Sequence, residues 1–240
     1  MFIETPSGNQ ILIDGGDGEK IISELSKIIP FSDKNIDIII STHTDSDHLG
    51  GLINVLKAYD VGIVLENGFI AESATYKEWA EILKEKNINS KIVKAGDRMV
   101  IDDGIILDIL GPFSEDFNPY PEDGNEVMIA AKLTFKDSEF LFMGDIDKGD
   151  ELRLISSGLD LDSDVLKVAH HGSKNSSTNL FLEKVSPEYA VISAGYNNRY
   201  GHPHAETLER LASVGTQIFV TSNDMAVTIK TDGNILEIVK

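Results

Sequence analysis

The stretch Ile38-Ile39-Ile40-Ser41-Thr42-His43-Thr44-Asp45-Ser46-Asp47-His48-Leu49-Gly50-Gly51 constrains the fold of this chain more than any other. Its short β-branched run reads as a buried strand. The run leads directly into two imidazoles and two carboxylates, then Gly-Gly and a helical pattern over 50–59. A polar cluster at the C-terminal end of a strand sits where open α/β sheets place ligands. In an extended loop His43, Asp45 and Asp47 would point to one side, Thr44 and Ser46 to the other, and His48 would turn with the helix. That arrangement suits two adjacent metal ions, one taking His43 and Asp45, the other Asp47 and His48. Imidazole and carboxylate are ligands for zinc or manganese, and the chain has no cysteine to offer a thiolate. The plainer alternative is a polar turn in which Asp47 caps the helix and the histidines are bystanders.

The surrounding chain reads as alternating elements. A hairpin joins strands at 2–4 and 10–13, Asp14-Gly15-Gly16 ends the second of them, and a helix over 19–29 stops at Pro30. Past the cluster come a strand at 61–64, a helix at 72–87 around Trp79 and Leu83, and strands at 91–93, 99–101 and 105–110. Strands follow at 127–135 and 140–143, then a helix at 148–157. Beyond it lie a strand at 165–169, a helix at 177–185, a strand at 189–193 and a helix at 205–213. Strands at 217–221, 225–230 and 235–239 close the chain. Hairpins begin each half and strand–helix alternation follows, which is a layered α/β pattern with mixed sheets. The 240 residues contain no evident linker, so one domain is the simpler expectation. Residues 111–125 lack periodicity and read either as a flap beside a site or as a plain surface excursion.

All six histidines fall in three short clusters, each just after an apolar strand: His43 and His48, His170 and His171, His202 and His204. Asp145 follows a fourth such strand, Phe140-Leu141-Phe142-Met143-Gly144. Scattered core histidines would not be distributed this way, and four strand ends supplying His and Asp point to one concave site.

Together these segments resemble the metallo-β-lactamase superfamily. The first cluster is similar to its metal motif with Asp45 in place of the usual second histidine, and Gly144-Asp145 is similar to its bridging-aspartate motif. The His-x-Asp-x-Asp-His form, Ala169-His170-His171-Gly172-Ser173 and Gly201-His202-Pro203 resemble the ComEC-type (competence protein) branch and the related phosphorylcholine esterases. The branch tends to show an Asn-x-Ser where this chain's Gly124-Asn125-Glu126 keeps the Asn and is read as having Glu in place of Ser, and an upstream strand that this chain begins after.

The resemblance implies a four-layer αββα sandwich, one strand short in its first sheet or a shortened relative. It implies two divalent ions, zinc or manganese, in two ligand sets. The first is His43, Asp45 and His171, the second Asp47, His48 and His202, with Asp145 shared between them and Asp147 as the alternative carboxylate. His171 is chosen as ligand over His170, because neighbours on an extended segment cannot both face one ion. Asp47, His170 and Asp145 form the expected catalytic set, with His170 on the substrate phosphate or leaving group and a metal-bridging hydroxide as nucleophile. Ser173, Lys174, Ser176 and Ser177, with backbone amides at the following helix start, are expected to meet phosphate oxygens, joined by Arg199 and Tyr200.

The expected activity is that of a dinuclear phosphodiesterase or nuclease, with DNA or RNA ends among the substrates. The alternatives are a small-molecule phosphoesterase such as a phosphorylcholine esterase and a non-catalytic, metal-stabilised interaction module. A β-lactam hydrolase fits less well, given Asp45 and the His-His-Gly-Ser segment. A net charge of −19 argues against a broad nucleic-acid face and against a membrane surface, but bound dications would dominate the local field. Met1 to Pro6 shows no signal-peptide pattern and cysteine is absent, so the expected setting is cytoplasmic. The oligomeric state is left open.

Overall fold

The β-branched run is the middle strand of a five-stranded sheet in the computed structural model, which describes residues 1–102, 104–114 and 128–239. The chain forms two units, Met1–Ala95 with Pro112–Ile129, and Gly96–Gly111 with Ala130–Lys240.

In the first unit β1 (Phe2–Glu4) pairs antiparallel with β2 (Gln10–Ile13). Then β3 (Asn35–Ser41), β4 (Asp60–Glu66) and β5 (Asn89–Ile92) add in parallel, in the order β1-β2-β3-β4-β5. The parallel crossovers are α1 (Lys20–Leu25), α2 (Ser46–Ala58) and α3 (Ala74–Glu85). Ile38, Ile39 and Ile40 of β3 are all buried, as a strand covered on both faces requires. Leu12, Ile36 and Ile39 share a core with Leu49, Leu52 and Leu56 of α2 and Trp79 of α3. Each such aliphatic side chain contributes about 1.5–3 kcal/mol on burial. Trp79 is a core residue whose indole N–H donates to Glu66.

Helix α2 begins four residues earlier than the sequence suggests, at Ser46 rather than 50, with Asp45 at the cap position making no side-chain cap bond. Asp47 and His48 therefore sit in its first turn, and the strand-like alternation expected of Asp45 and Asp47 does not apply. Gly50 and Gly51 are helical. A Cβ on Gly51 would come within 2.1 Å of the Gly15 carbonyl oxygen, so this glycine permits a close approach between two backbone segments.

The second unit holds a seven-stranded sheet. An antiparallel meander of β6 (Arg98–Asp102), β7 (Ile105–Gly111), β8 (Ala130–Phe135) and β9 (Ser138–Phe142) continues in parallel with β10 (Val165–Lys167), β11 (Tyr189–Ile192) and β12 (Gln217–Val220). Helices α4 (Lys148–Ser156), α5 (Asn179–Val185) and α6 (Ala205–Ser213) make the crossovers. A short α7 (Thr221–Asp224), not foreseen in the sequence, and the hairpin β13 (Thr228–Thr231) with β14 (Leu236–Val239) end the chain. Lys132 on β8 is buried and held by Asp160 at 2.9 Å and Glu139 at 3.0 Å.

The sequence reading of a flap over 111–125 lies mostly outside the described residues, as does the Asn125-Glu126 departure. Among the described residues no helix is long and apolar enough to cross a membrane.

Candidate functional site

In the first unit the organising group is Asp14, in a left-handed conformation (φ 55°) just after β2. Its carboxylate accepts the Thr42 N–H at 2.9 Å, the Thr42 hydroxyl at 2.8 Å and the His48 Nδ1–H at 2.8 Å. The Asp14 loop is held against α2 by Gly15 N–H to the His48 carbonyl and by Gly51 N–H to the Gly16 carbonyl, both 2.8 Å. Burial pushes the Asp14 carboxyl up, but the His48 and His43 imidazoles and the Thr42 amide outweigh it and hold the group well below the usual carboxylate range.

These bonds determine the proton positions on two imidazoles. The His48 Nδ1 carries its proton toward Asp14, which puts the lone pair on Nε2. The Thr42 hydroxyl spends its proton on Asp14 and accepts from His43 Nδ1 at 3.0 Å, which puts the His43 lone pair on Nε2 as well. Both rings are buried, with centroids 4.0 Å apart, and His43 Nε2 lies 3.7 Å from Asp45 Oδ2. Asp45 and Asp47 are exposed. Asp14 and Thr42 escape the sequence reading, which treats Asp14 as a strand terminator. The available signal is an acid directly after a fully buried strand.

In the second unit Asp145 follows β9 through Gly144, and His170 N–H donates to the Gly144 carbonyl at 3.1 Å. The sequence reading has His170 and His171 on an extended segment. Instead they lie in a tight turn over Ala169–Gly172, with His170 (φ 47°), His171 (φ 52°) and Gly172 (φ 83°) all left-handed. Gly172 is required there, since a Cβ would meet Pro203 Cβ at 2.6 Å. His171 Nδ1 donates to the Ser193 carbonyl after β11 at 2.8 Å, so its lone pair also lies on Nε2, 3.4 Å from Asp145 Oδ2. Asp147 is occupied differently: it caps α4, accepting from the amides of Gly149 and Asp150.

His202 is held by Asn198, which accepts its N–H and donates to its carbonyl. Its ring lies 5.6 Å from that of His170 and 6.3 Å from that of His171, centroid to centroid. It also lies 4.8 Å from that of His204 and 5.7 Å from that of Tyr200. Burial, then the neighbouring His204, His170 and His171, push its pKa down to about 4 against a smaller opposing effect of Asp145. It is therefore a neutral imidazole at pH 7, the form that binds a metal ion.

The expected phosphate contacts divide. Lys174, Arg199 and Tyr200 are exposed, with the Arg199 guanidinium 4.7 Å over the Tyr200 ring. Ser173, Ser176 and Ser177 are buried instead. Ser176 Oγ donates inward to the Ala169 and Ser173 carbonyls. The amides of Ser177 and Thr178, ahead of α5, donate to the buried Glu151 carboxylate. These groups serve the loop's own structure rather than facing a substrate.

The donor chemistry fits divalent ions. Nitrogen and oxygen donors occur without sulfur, and three imidazoles, His43, His48 and His171, have Nδ1 committed to protein oxygens and Nε2 as the lone-pair nitrogen. Such outer hydrogen bonds are the usual companions of metal-ligating histidines.

Comparison with known proteins gives the same direction. A family model described as the Metallo-beta-lactamase superfamily matches residues 1–196. ComE operon protein 3 of Bacillus subtilis is 32% identical over 212 residues, covering 86% of this chain and 26% of that protein. Competence protein ComA of Neisseria gonorrhoeae is 32% identical over 189 residues, covering 78% and 24%. The chain thus spans about a quarter of the length of these curated relatives. Among solved structures, the metallo-beta-lactamase fold protein YhfI from Bacillus subtilis superimposes with a TM-score of 0.58 at 10% identity, covering 99% of this chain and 90% of that one. That last likeness is one of fold.

Proposed function

The chain belongs to the metallo-β-lactamase superfamily, and from that premise we propose that it is a dinuclear metal-dependent phosphodiesterase or nuclease. The family supports a metal-dependent hydrolase. The finer reading rests on this chain's residues. The observation that carries it is the pinned His171, with Nδ1–H on the Ser193 carbonyl and Nε2 beside Asp145. Two further imidazoles, both committed through Asp14, repeat the pattern.

In this proposal His43, Asp45, Asp47, His48, Asp145, His171 and His202 hold two ions, zinc or manganese, with Asp145 serving both. When bound, such ions supply Lewis acidity toward a phosphoryl oxygen and lower the pKa of water. His170, whose turn leaves it partly exposed, handles the proton of the leaving oxygen. Lys174 and Arg199 offset the charge of non-bridging oxygens. A phosphodiester is favoured over a β-lactam by Asp45 and by the His170-His171-Gly172-Ser173 segment. The second reading, hydrolysis of a small phosphoester such as a phosphorylcholine ester, is favoured by the net charge of −19. The proposed setting is cytoplasmic, in keeping with the cysteine-free composition.

The test is hydrolysis of bis-p-nitrophenyl phosphate with zinc and with manganese, beside single- and double-stranded DNA, RNA and p-nitrophenyl phosphorylcholine. Turnover of nucleic acid that chelators abolish and metal restores is expected. Turnover of p-nitrophenyl phosphorylcholine with inert nucleic acids would select the second reading. Efficient turnover of nitrocefin with every phosphoester inert would overturn both.

A further inference from the structure

The segment 172–178 is gripped from two sides by opposite charges. On one side stands Glu151 of α4, fully buried, whose carboxylate accepts the backbone N–H groups of Ser177 and, at 2.9 Å, Thr178. On the other stands Arg210 of α6. Its guanidinium donates to the carbonyls of Ser177 at 2.7 Å, Ser176 at 2.8 Å and Lys174 at 3.2 Å. The carboxylate takes the N–H ends of these peptides and the guanidinium takes the C=O ends, so each charge is aligned with the dipoles it meets.

Supporting bonds extend the grip along the segment. Lys148 N–H donates to the Asn175 carbonyl, Thr207 Oγ1 to the Ser173 carbonyl and His204 N–H to the Gly172 carbonyl, at 2.9, 2.9 and 3.0 Å.

Stability alone does not account for this arrangement. Burial pushes the Glu151 carboxyl up, and the two amides with Arg210 only partly offset that cost. Well-packed apolar side chains are often as stabilising as a buried charged pair, or more so. What the charges supply is a fixed geometry, and three observations locate where it is needed. The segment begins at Gly172, the last of three consecutive left-handed residues with His170 and His171, and such a conformation persists only where its surroundings over-determine it. Helix α4, which carries Glu151, starts three residues after Asp145. Helix α6, which carries Arg210, starts three residues after His202. The gripped segment is therefore the joint at which the turns bearing Asp145, His171 and His202 meet.

We propose that Glu151 and Arg210 are positioning residues, a charge clamp that acts through segment 172–178 to hold Asp145, His171 and His202 in register. The inference rests on the metal-site reading of those three residues. Neither clamp residue touches the reacting atoms.

The test uses the full chain with Glu151→Gln, which keeps the shape but turns an N–H donor toward one of the two amides. Arg210→Lys keeps the charge and loses the fork. Lys132→Met, which removes the buried Lys132 ion pairs elsewhere in the same unit, serves as a control for lost stability. Three quantities are measured: zinc and manganese affinity by chelator competition, the His171 tautomer in metal-free protein by long-range proton–nitrogen correlation, and kcat and KM on bis-p-nitrophenyl phosphate. Glu151→Gln is expected to weaken metal binding about tenfold or more, the scale of lost outer-shell support. It should also disturb the His171 Nδ1–H signature and lower kcat with little change in KM. Arg210→Lys should lie between it and wild type, and Lys132→Met should lower the melting temperature alone. If both clamp variants lose stability but keep wild-type metal affinity and the His171 signature, the clamp is merely structural and the proposal fails. Should Glu151→Gln not fold, Arg210→Lys decides on the same readouts. Wild-type protein inert toward phosphodiesters, with metal affinity still responding to the clamp variants, would sink the activity reading and leave this one standing.

Discussion

Replacing Asp14 by Asn tests whether one carboxylate sets the protonation of two candidate ligands. Asp14 receives the Thr42 N–H, the Thr42 hydroxyl and the His48 Nδ1–H. An amide of the same shape keeps one accepting oxygen and presents an NH2 on its other edge. If the NH2 faces His48, Nδ1 must accept and its proton moves to Nε2, the atom needed for coordination. If it takes the Oδ1 place, it meets the Thr42 N–H donor to donor, while the Thr42 hydroxyl and His48 Nδ1–H keep the oxygen left at Oδ2. The first orientation inverts His48 directly, and the second sets the buried Thr42 N–H against another donor, which disfavours it. Loss of such outer-shell support costs about 10–100-fold in metal affinity, which is about 1.4–2.8 kcal/mol at 1.4 kcal/mol per tenfold.

The acid limb of stability should change too. The Asp14 carboxyl lies below its ordinary range in the folded chain. Its contribution is therefore present above the unfolded pKa and lost as pH falls through the folded value, and Asp14→Asn should flatten that limb. The assay is zinc competition with a chromophoric chelator, beside proton–nitrogen correlation of the histidine rings in metal-free protein. Thr42→Val serves as a partial version, expected to release His43 and spare His48. Wild-type zinc affinity with His43 and His48 both retaining Nδ1–H in Asp14→Asn would refute the reasoning.

Other outcomes follow from single positions. Gly172→Ala places a Cβ 2.6 Å from Pro203 Cβ at φ 83°. Left-handed strain and overpacking together should lower stability by about 2–5 kcal/mol in urea unfolding. His202 in metal-free protein should titrate with a midpoint near 4 rather than 6.5. Between those values the unfolded chain holds more protons at this position, so stability should rise with pH through that window and do so less in His202→Gln. A midpoint above 6 by ring nitrogen shifts would contradict the burial argument. If the two-ion phosphodiesterase proposal holds, Asp145→Ala should lower bound metal from two ions per chain to at most one by elemental analysis and remove phosphodiester turnover, with the circular dichroism spectrum retained.

What could be read from the sequence divides by the range of the interaction that decides each feature. Strand β3, helix α6 and the strand ends bearing His43, Asp145, His171 and His202 are legible because apolar periodicity is local: Ile38–Ile40 announce a covered strand within a few residues. The start of α2 is not. Gly50-Gly51 resembles a break before a helix, yet Gly51 is small because the Gly15 backbone approaches it from a segment more than thirty residues away in sequence. The left-handed turn at His170-His171 is illegible for a related reason. No local preference favours it, and it is held by Gly144, Ser193 and the grip on segment 172–178. Ser176 and Ser177 show the converse error. Hydroxyls and amides beside a histidine pair suggest a phosphate cradle, but the anion that meets the Ser177 and Thr178 amides is Glu151, 26 residues upstream of Ser177. A carboxylate in that place also has a consequence for substrate chemistry. Its negative charge disfavours a phosphate at the α5 start, so in the proposed reaction recognition of a phosphodiester would fall to the exposed Lys174 and Arg199. Two exposed cations in a chain of net charge −19 give affinity that salt readily screens. If the proposed reaction is right, KM for a nucleic-acid substrate should rise steeply with ionic strength while kcat holds. A salt-independent KM would mean that the substrate is held by groups other than these two.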